Sequence, residues 1–147
     1  MHPREFLVNE LKLDFDQRHP QKRMSVPRMK YIARLMRLPV EDVKAYRTAH
    51  GVHVTVRLRE PVHALVAVLL QSLLGSDYGK EAFCAIRVLN LMASPDKYDK
   101  VARDCWNVLF YKKLVKGQVV SEEKFDPKLT RKLRRALIEE AEEGGRP

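Results

Sequence analysis

Arg47-Thr48-Ala49-His50-Gly51-Val52-His53-Val54-Thr55-Val56-Arg57-Leu58 decides the architecture: a turn followed by strict alternation of apolar and polar residues. Val52, Val54, Val56 and Leu58 fall on one face of a period-two strand, and His53, Thr55, Arg57 and Arg59 fall on the other. The strand therefore has one face for a core and one for chemistry. Leu11-Lys12-Leu13-Asp14-Phe15-Asp16 alternates in the same way, with Leu11, Leu13 and Phe15 opposite Lys12, Asp14 and Asp16. Two such strands in one sheet bring two carboxylates and an imidazole to the same open face.

Outward from these stretches, residues 6–16 form a strand whose slip between Val8 and Leu11 marks either a bulge or the strand's true start. Gln17 to Met24 is a basic loop. Ser25 caps a helix with Pro27 in its first turn, and Met29, Ile32, Ala33 and Met36 recur at helical spacing up to Arg37, where Pro39 ends it. Val40 to Arg47 is a second strand, paired as a hairpin with the strand that follows Gly51. Pro61 is expected to open a helix to Leu74 with Gly75 as its left-handed cap, Leu65, Val68, Leu69 and Ser72 on one face, and the deepest burial of any helix. Ser76 or Asp77 caps a third helix, from about Tyr78 to Met92, with a stripe of Ala82, Ala85, Ile86 and Leu89. Ser94-Pro95-Asp96 breaks the chain before a short helical turn at Tyr98 to Asp104. A fourth strand is expected from Trp106 to Leu114, a turn at Lys116-Gly117-Gln118, and Val119-Val120 after it. Asp126-Pro127 starts a last helix to Glu143, closed by Gly144-Gly145, with Leu129, Leu133, Ala136, Leu137 and Glu140 on one side. Its other side is Lys128, Arg131, Lys132, Arg134 and Arg135.

This order implies an α+β fold: an elaborated ferredoxin-like or RNA-recognition-motif-like open sheet with helices on one face and a C-terminal basic helix. Residues 1–120 are assigned to the α+β domain and 121–147 to the basic helical extension. At 147 residues and 45% apolar content, an ordinary core is affordable within one domain. The longest apolar run, Ala64 to Leu70, is far short of the roughly 20 residues of a bilayer span, and Met1-His2-Pro3-Arg4-Glu5 lacks the layout of a signal peptide. The expectation is a cytoplasmic protein without a membrane partner.

The 28 basic and 19 acidic residues leave a net charge of +9, and the isoelectric point is near 9.7. That balance favours nucleic acid, DNA or RNA, over an acidic protein as partner. Cys84 and Cys105 form no CxxC pair and no zinc pattern, which implies two reduced, structural cysteines. Four Gln and three Asn against 32% charged residues lean toward a heat-adapted source.

Asp14 and Asp16, at i and i+2 of a strand, project the same way about 7 Å apart. That geometry suits one or two Mg²⁺ or Mn²⁺ ions presented to nucleotide phosphates; the same pair also keeps a strand face solvated. His53 can hold a phosphate as a cation or as a neutral donor, or stand as a surface histidine beside a turn. His50 and His63 have no partner visible in the sequence. Gly75-Ser76-Asp77-Tyr78-Gly79-Lys80-Glu81 is not a phosphate loop, because it has three residues before Gly-Lys, carries Glu81 where Ser or Thr is required, and follows a helix. A helix-turn-helix over Pro61 to Asn90 is disfavoured by the apolarity of both helices. The basic face of Lys128, Arg131, Lys132, Arg134 and Arg135, with Arg57 and Arg59 on the central strand, is the expected nucleic-acid contact. That central strand carries no Phe or Tyr, which argues against a base-stacking platform.

Leu11-Lys-Leu-Asp14-Phe-Asp16 resembles the first motif of the archaeo-eukaryotic primase superfamily, an apolar strand ending in Asp-x-Asp. Thr48-Ala-His-Gly51-Val-His53-Val-Thr-Val is similar to its second motif, a small residue, a spacer and a histidine at the start of a sheet strand. Leu70-Gln-Ser-Leu-Leu-Gly75-Ser-Asp77 with Arg87 resembles the helical segment that follows in short archaeal members, so the likeness covers roughly residues 8–90. The resemblance implies Asp14 and Asp16 as metal ligands for Mg²⁺ or Mn²⁺, His53 as the contact to the incoming nucleotide's phosphates, and synthesis or extension of primers in DNA replication or repair, with other replication subunits as partners. It also requires a third acid on a later strand, for which Asp96, Asp99 and Asp104 are the candidates. A zinc-binding insertion is lacking, and the chain is short for a self-sufficient polymerase. A non-catalytic nucleic-acid-binding module or accessory subunit keeping the fold is the alternative.

Overall fold

The computed structural model describes residues 6–93, 106–107, 112–115, 118–121 and 123–140, with the backbone alone for 112–121. Among the described residues ten helices and strands follow in chain order. They are β1 (Leu7–Asp16), α1 (Val26–Leu35), β2 (Val40–Arg47), β3 (Gly51–His63), α2 (Ala64–Leu73), α3 (Tyr78–Ala93), β4 (Lys112–Val115), β5 (Gln118–Ser121), β6 (Lys124–Phe125) and α4 (Pro127–Arg134). A π-helical turn, Arg135–Glu139, carries α4 onward.

The main sheet is antiparallel with strand order β1-β3-β2-β6, and β4 and β5 form a separate hairpin. The alternation does what it demands: Leu11, Leu13, Phe15, Val52, Val54, Val56 and Leu58 are all buried, as are Val43 and Ala45 of β2. A one-residue slip of β3 would turn its four aliphatic side chains to water at roughly 1.5–3 kcal/mol each, a sum comparable to the whole stability of a small domain. Register is thereby set. The slip seen in the sequence is a register shift between Val8 and Glu10 where β1 meets β3. β3 lies between β1 and β2, and α1 crosses from the one to the other, as in a split β-α-β unit. The fold is thus α+β with an open antiparallel sheet, and its fourth strand is β6, on the outer side of β2.

Local signals hold at most helix ends. The Ser25 hydroxyl accepts from the Arg28 N–H at 3.3 Å, the Asp77 carboxylate accepts from the Lys80 N–H at 3.2 Å, and the Asp126 carboxylate accepts from the Leu129 N–H at 3.0 Å. Gly75 ends α2 with φ +99°. Pro61 does not open α2: it lies within β3, because Val62 and His63 pair with Val8 and Leu7. The helix starts at Ala64 instead, capped by His63, whose Nδ1 accepts from the Leu65 N–H at 3.1 Å.

Helix rotations depart more from expectation. In α2 the buried residues are Ala64, Ala67, Val68, Leu70 and Gln71, whereas Leu69 is exposed. In α3 the expected stripe is not the core face; Ile86 and Leu89 are more than half exposed, and Lys80, Glu81, Cys84, Val88 and Leu91 are buried. The cause is a buried polar network. Lys80 Nζ donates to Glu81 Oε2 at 3.0 Å, to Asn107 Oδ1 at 2.8 Å and to the Lys12 carbonyl, while Gln71 Nε2 donates to Glu81 Oε1 at 2.6 Å. Cys84 is free beneath it, with burial pushing its thiol pKa up.

Side chains from α2 and α3 and the turn between them also complete the outer edge of β1. The Lys12 N–H donates to Gln71 Oε1 at 2.9 Å and the Asp14 N–H to Ser76 Oγ at 2.9 Å, and the Asp14 carbonyl accepts from the Asp77 N–H at 2.7 Å. On β2, the Ala45 N–H donates to Thr130 Oγ1 at 3.0 Å. Leu133 and Leu137 join the same core, so the C-terminal helix packs on the sheet.

Trp106 and Asn107 are buried in a bend and belong to no strand; the strand expected there starts, among the described residues, at Lys112. The break at Ser94-Pro95-Asp96, the turn at Tyr98 to Asp104, Cys105, Lys116-Gly117 and the close at Gly144-Gly145 lie outside the described residues. So does the end of the last helix, which is described to Glu140.

Candidate functional site

β1 and β3 bring the first two expected residues into direct contact. Asp14 and His53 are cross-strand partners on the open face, and His53 Nε2 stands 3.3 Å from Asp14 Oδ1. The other ring nitrogen, Nδ1, stands 3.0 Å from Glu123 Oε2. Glu123 precedes β6, which the Tyr46–Phe125 pairing ties to β2. A neutral imidazole has one N–H, so hydrogen bonds to two carboxylates require the imidazolium. Only 3% of His53 is exposed, and that burial opposes the charge; hydrogen bonds with Asp14 and Glu123 outweigh it and raise the pKa above the ordinary 6.5.

Because the folded pKa lies above the unfolded one, the proton stabilises the fold fully below about pH 6.5 and ceases to do so as the pH rises through the folded value. The stability gap between wild type and His53→Gln is therefore expected to be largest below about pH 6.5 and to shrink as the pH rises above it. Urea melts across that range measure it; a gap that widens with pH contradicts the doubly paired imidazolium.

A cavity of about 230 Å³ opens at the turn end of these strands, lined by Asp14, Asp16, Lys22, His50, His53 and Asp77 among others. Asp16 is two residues along β1 from Asp14, as expected, but its carboxylate is forked by Arg18, with Nε 3.2 Å from Oδ1 and Nη2 3.1 Å from Oδ2. That hydrogen bonding holds its pKa down at about 2. Lys22 Nζ lies 3.1 Å from Asp77 Oδ1, and both residues line the cavity. Lys22, Asp77 and Glu123 were not singled out for the site in the sequence. Asp77 reads as a helix cap, which it also is, and Glu123 carries no strand pattern around it that would place it over β3. Among the described residues, no group of three or more His, Cys, Asp or Glu side chains stands placed to hold a metal ion. Asp96, Asp99 and Asp104 lie outside the described residues.

The expected cationic contacts divide. Arg57 is exposed on the sheet's open face between Glu10 and Asp42, and Arg59 is exposed beyond it on β3. On α4, Lys128, Arg131 and Lys132 are exposed, whereas Arg134 Nε donates to Asp42 Oδ1 at 2.8 Å. Burial favours the neutral Asp42 acid, but the Arg134 hydrogen bond prevails and lowers its pKa. Arg135 Nε lies 3.1 Å from Glu140 Oε1. The basic residues therefore divide into exposed cations and ion-paired ones, and Arg134 reaches Asp42, the cross-strand partner of Arg57.

No helix among the described residues is long and apolar enough to cross a membrane. In comparisons with known proteins the chain matches no family model, no curated protein and no solved structure.

Proposed function

We propose that this chain is a primase-like, nucleic-acid-associated protein of DNA replication or repair that receives nucleotide phosphates in the cavity beside Asp14, Asp16 and His53. The observation that supports this most is the contact of Asp14 with His53 at a cavity also lined by Asp16. Two carboxylates are a fitting donor set for Mg²⁺ or Mn²⁺, which take one or two such ligands and complete their shell with water and substrate phosphates. When bound by Asp14 and Asp16, a divalent cation supplies charge neutralisation for metal-assisted phosphoryl transfer to a 3′ hydroxyl. The chain's own residues supply the rest. Asp16 exchanges the Arg18 fork for that role, which frees the guanidinium beside it as a phosphate partner. Release of Asp14 from His53 frees the Nε2–H to donate to a phosphate oxygen, while Glu123 keeps the ring oriented and charged.

A second function, a non-catalytic nucleic-acid-binding module, is favoured by a specific observation: as they stand, both Asp16 oxygens and both His53 nitrogens are already engaged. Primer synthesis and extension with Mn²⁺ on a single-stranded template separates the two. Wild type is expected to incorporate nucleotides, and Asp14→Ala/Asp16→Ala to lose at least about 100-fold, the scale of the several kcal/mol a bound metal contributes. Wild type that incorporates nothing yet binds DNA in a salt-sensitive way supports the module instead. Wild type that does neither overturns both.

A further inference from the structure

β6 adds a second ring to the open face of the sheet. Tyr46 of β2 is the cross-strand partner of both His53 and Phe125, so the three side chains share the sheet's open face. The Tyr46 and Phe125 ring centroids are 5.6 Å apart with their planes inclined at 59°. Phe125 is 48% exposed. Along β2, two residues from Tyr46, Lys44 is exposed, and a hollow of about 170 Å³ between Tyr46, Lys44 and Arg57 continues the ring surface across the sheet. Two carboxylates also border it: Asp42, which is ion-paired to Arg134, and Glu10, which is the cross-strand neighbour of Arg57.

An exposed ring alone is ordinary surface. Here an aromatic pair stands on a polar sheet face with a lysine two residues along β2 from Tyr46 and an arginine opposite Asp42, four residues along, in a chain of net charge +9. Rings at that spacing from cations match a strand of unpaired bases, whose π-faces stack while the phosphates meet the charges. Duplex bases, already stacked on each other, offer no such face.

We propose that Tyr46 and Phe125, with Lys44 and Arg57 beside them, form a stacking surface for single-stranded nucleic acid on the open face of the sheet. It rests on the nucleic-acid association proposed above, and is independent of whether nucleotidyl transfer occurs.

The test is fluorescence anisotropy of the full chain with a labelled oligothymidylate of about 12 nucleotides, a length within the range such single-strand sites cover. Phe125→Ala is expected to weaken binding about 5- to 100-fold, the effect of losing one stacked base, and Phe125→Trp to keep it. An abasic oligonucleotide of the same length is expected to bind wild type at least as weakly as oligothymidylate binds Phe125→Ala, because it offers no base to either ring. Lys44→Glu/Arg57→Glu leaves β6 untouched and is expected to weaken binding and flatten its salt dependence; it keeps the proposal testable if Phe125→Ala does not fold. Phe125→Ala binding like wild type, or equal affinity for the abasic chain, overturns the stacking surface and leaves nucleic-acid association standing. Wild type that binds no nucleic acid overturns both.

Discussion

Lys80→Met is expected to destabilise the protein by about 3–5 kcal/mol, the usual result of removing one partner from a buried ion pair. Lys80 is 8% exposed and Glu81 3%. The methionine keeps most of the side-chain volume, so the effect isolates charge and hydrogen bonding. Among the described residues it leaves the Glu81 carboxylate facing only Gln71 Nε2, at 2.6 Å, and it removes a donor from Asn107 Oδ1 and from the Lys12 carbonyl. At about 2–4 °C per kcal/mol for a chain near this size, the melting temperature should fall by roughly 6–20 °C. Lys80→Met/Glu81→Leu should recover a large part of the loss, because a well-packed apolar pair is often no worse than the ion pair it replaces. Urea and thermal melts of the two variants measure this. A single variant within about 1 kcal/mol of wild type would mean that the pair is solvated, in the range of surface salt bridges.

Gly51→Ala has the second large expected effect, and here the obstacle is backbone. A Cβ on Gly51 would lie 1.8 Å from the Phe15 carbonyl oxygen, 2.9 Å from its carbon and 3.1 Å from Asp16 Cα. No rotamer change relieves that contact. The end of β1 must separate from β3 where Asp16 pairs with Gly51, two pairs from Asp14 and His53. A loss of about 2–3 kcal/mol or more is expected, the upper range for overpacking. The local signature is more telling: the His53 ring resonances should move toward those of Asp14→Asn, since both changes weaken the same contact. An alanine variant with wild-type stability and an unmoved His53 spectrum would contradict the close approach of these strands.

The elements legible in the sequence were those with a local signal. Alternation placed β1, β2 and the first part of β3 and put Asp14 and His53 on one face, and Ser25, Gly75, Asp77 and Asp126 marked helix ends through single hydrogen bonds or a left-handed φ. What escaped depended on distant partners. Pro61 reads as a helix opener until Val62 and His63 are seen to pair with residues near the chain's start. Lys80 and Glu81 fall outside the stripe expected for α3, since charged residues are rarely buried unless paired. Their pairing, together with Gln71 and Asn107, rotates α3 away from its most apolar stripe. Glu123 and Phe125 reach the site across 70 and 79 residues of chain, on a strand too short to show any period.

The completed edge of β1 bears on how this protein meets copies of itself. A strand arriving from another molecule would need outward main-chain groups to pair with, and at Lys12 and Asp14 these are already held by Gln71, Ser76, Asp77 and Lys80. On the far side of the sheet, β6 and the start of α4 occupy β2 in the same manner. Strand exchange therefore requires the α2–α3 pair or the C-terminal helix to detach first, so fibre growth by this route is gated by partial unfolding rather than by encounter.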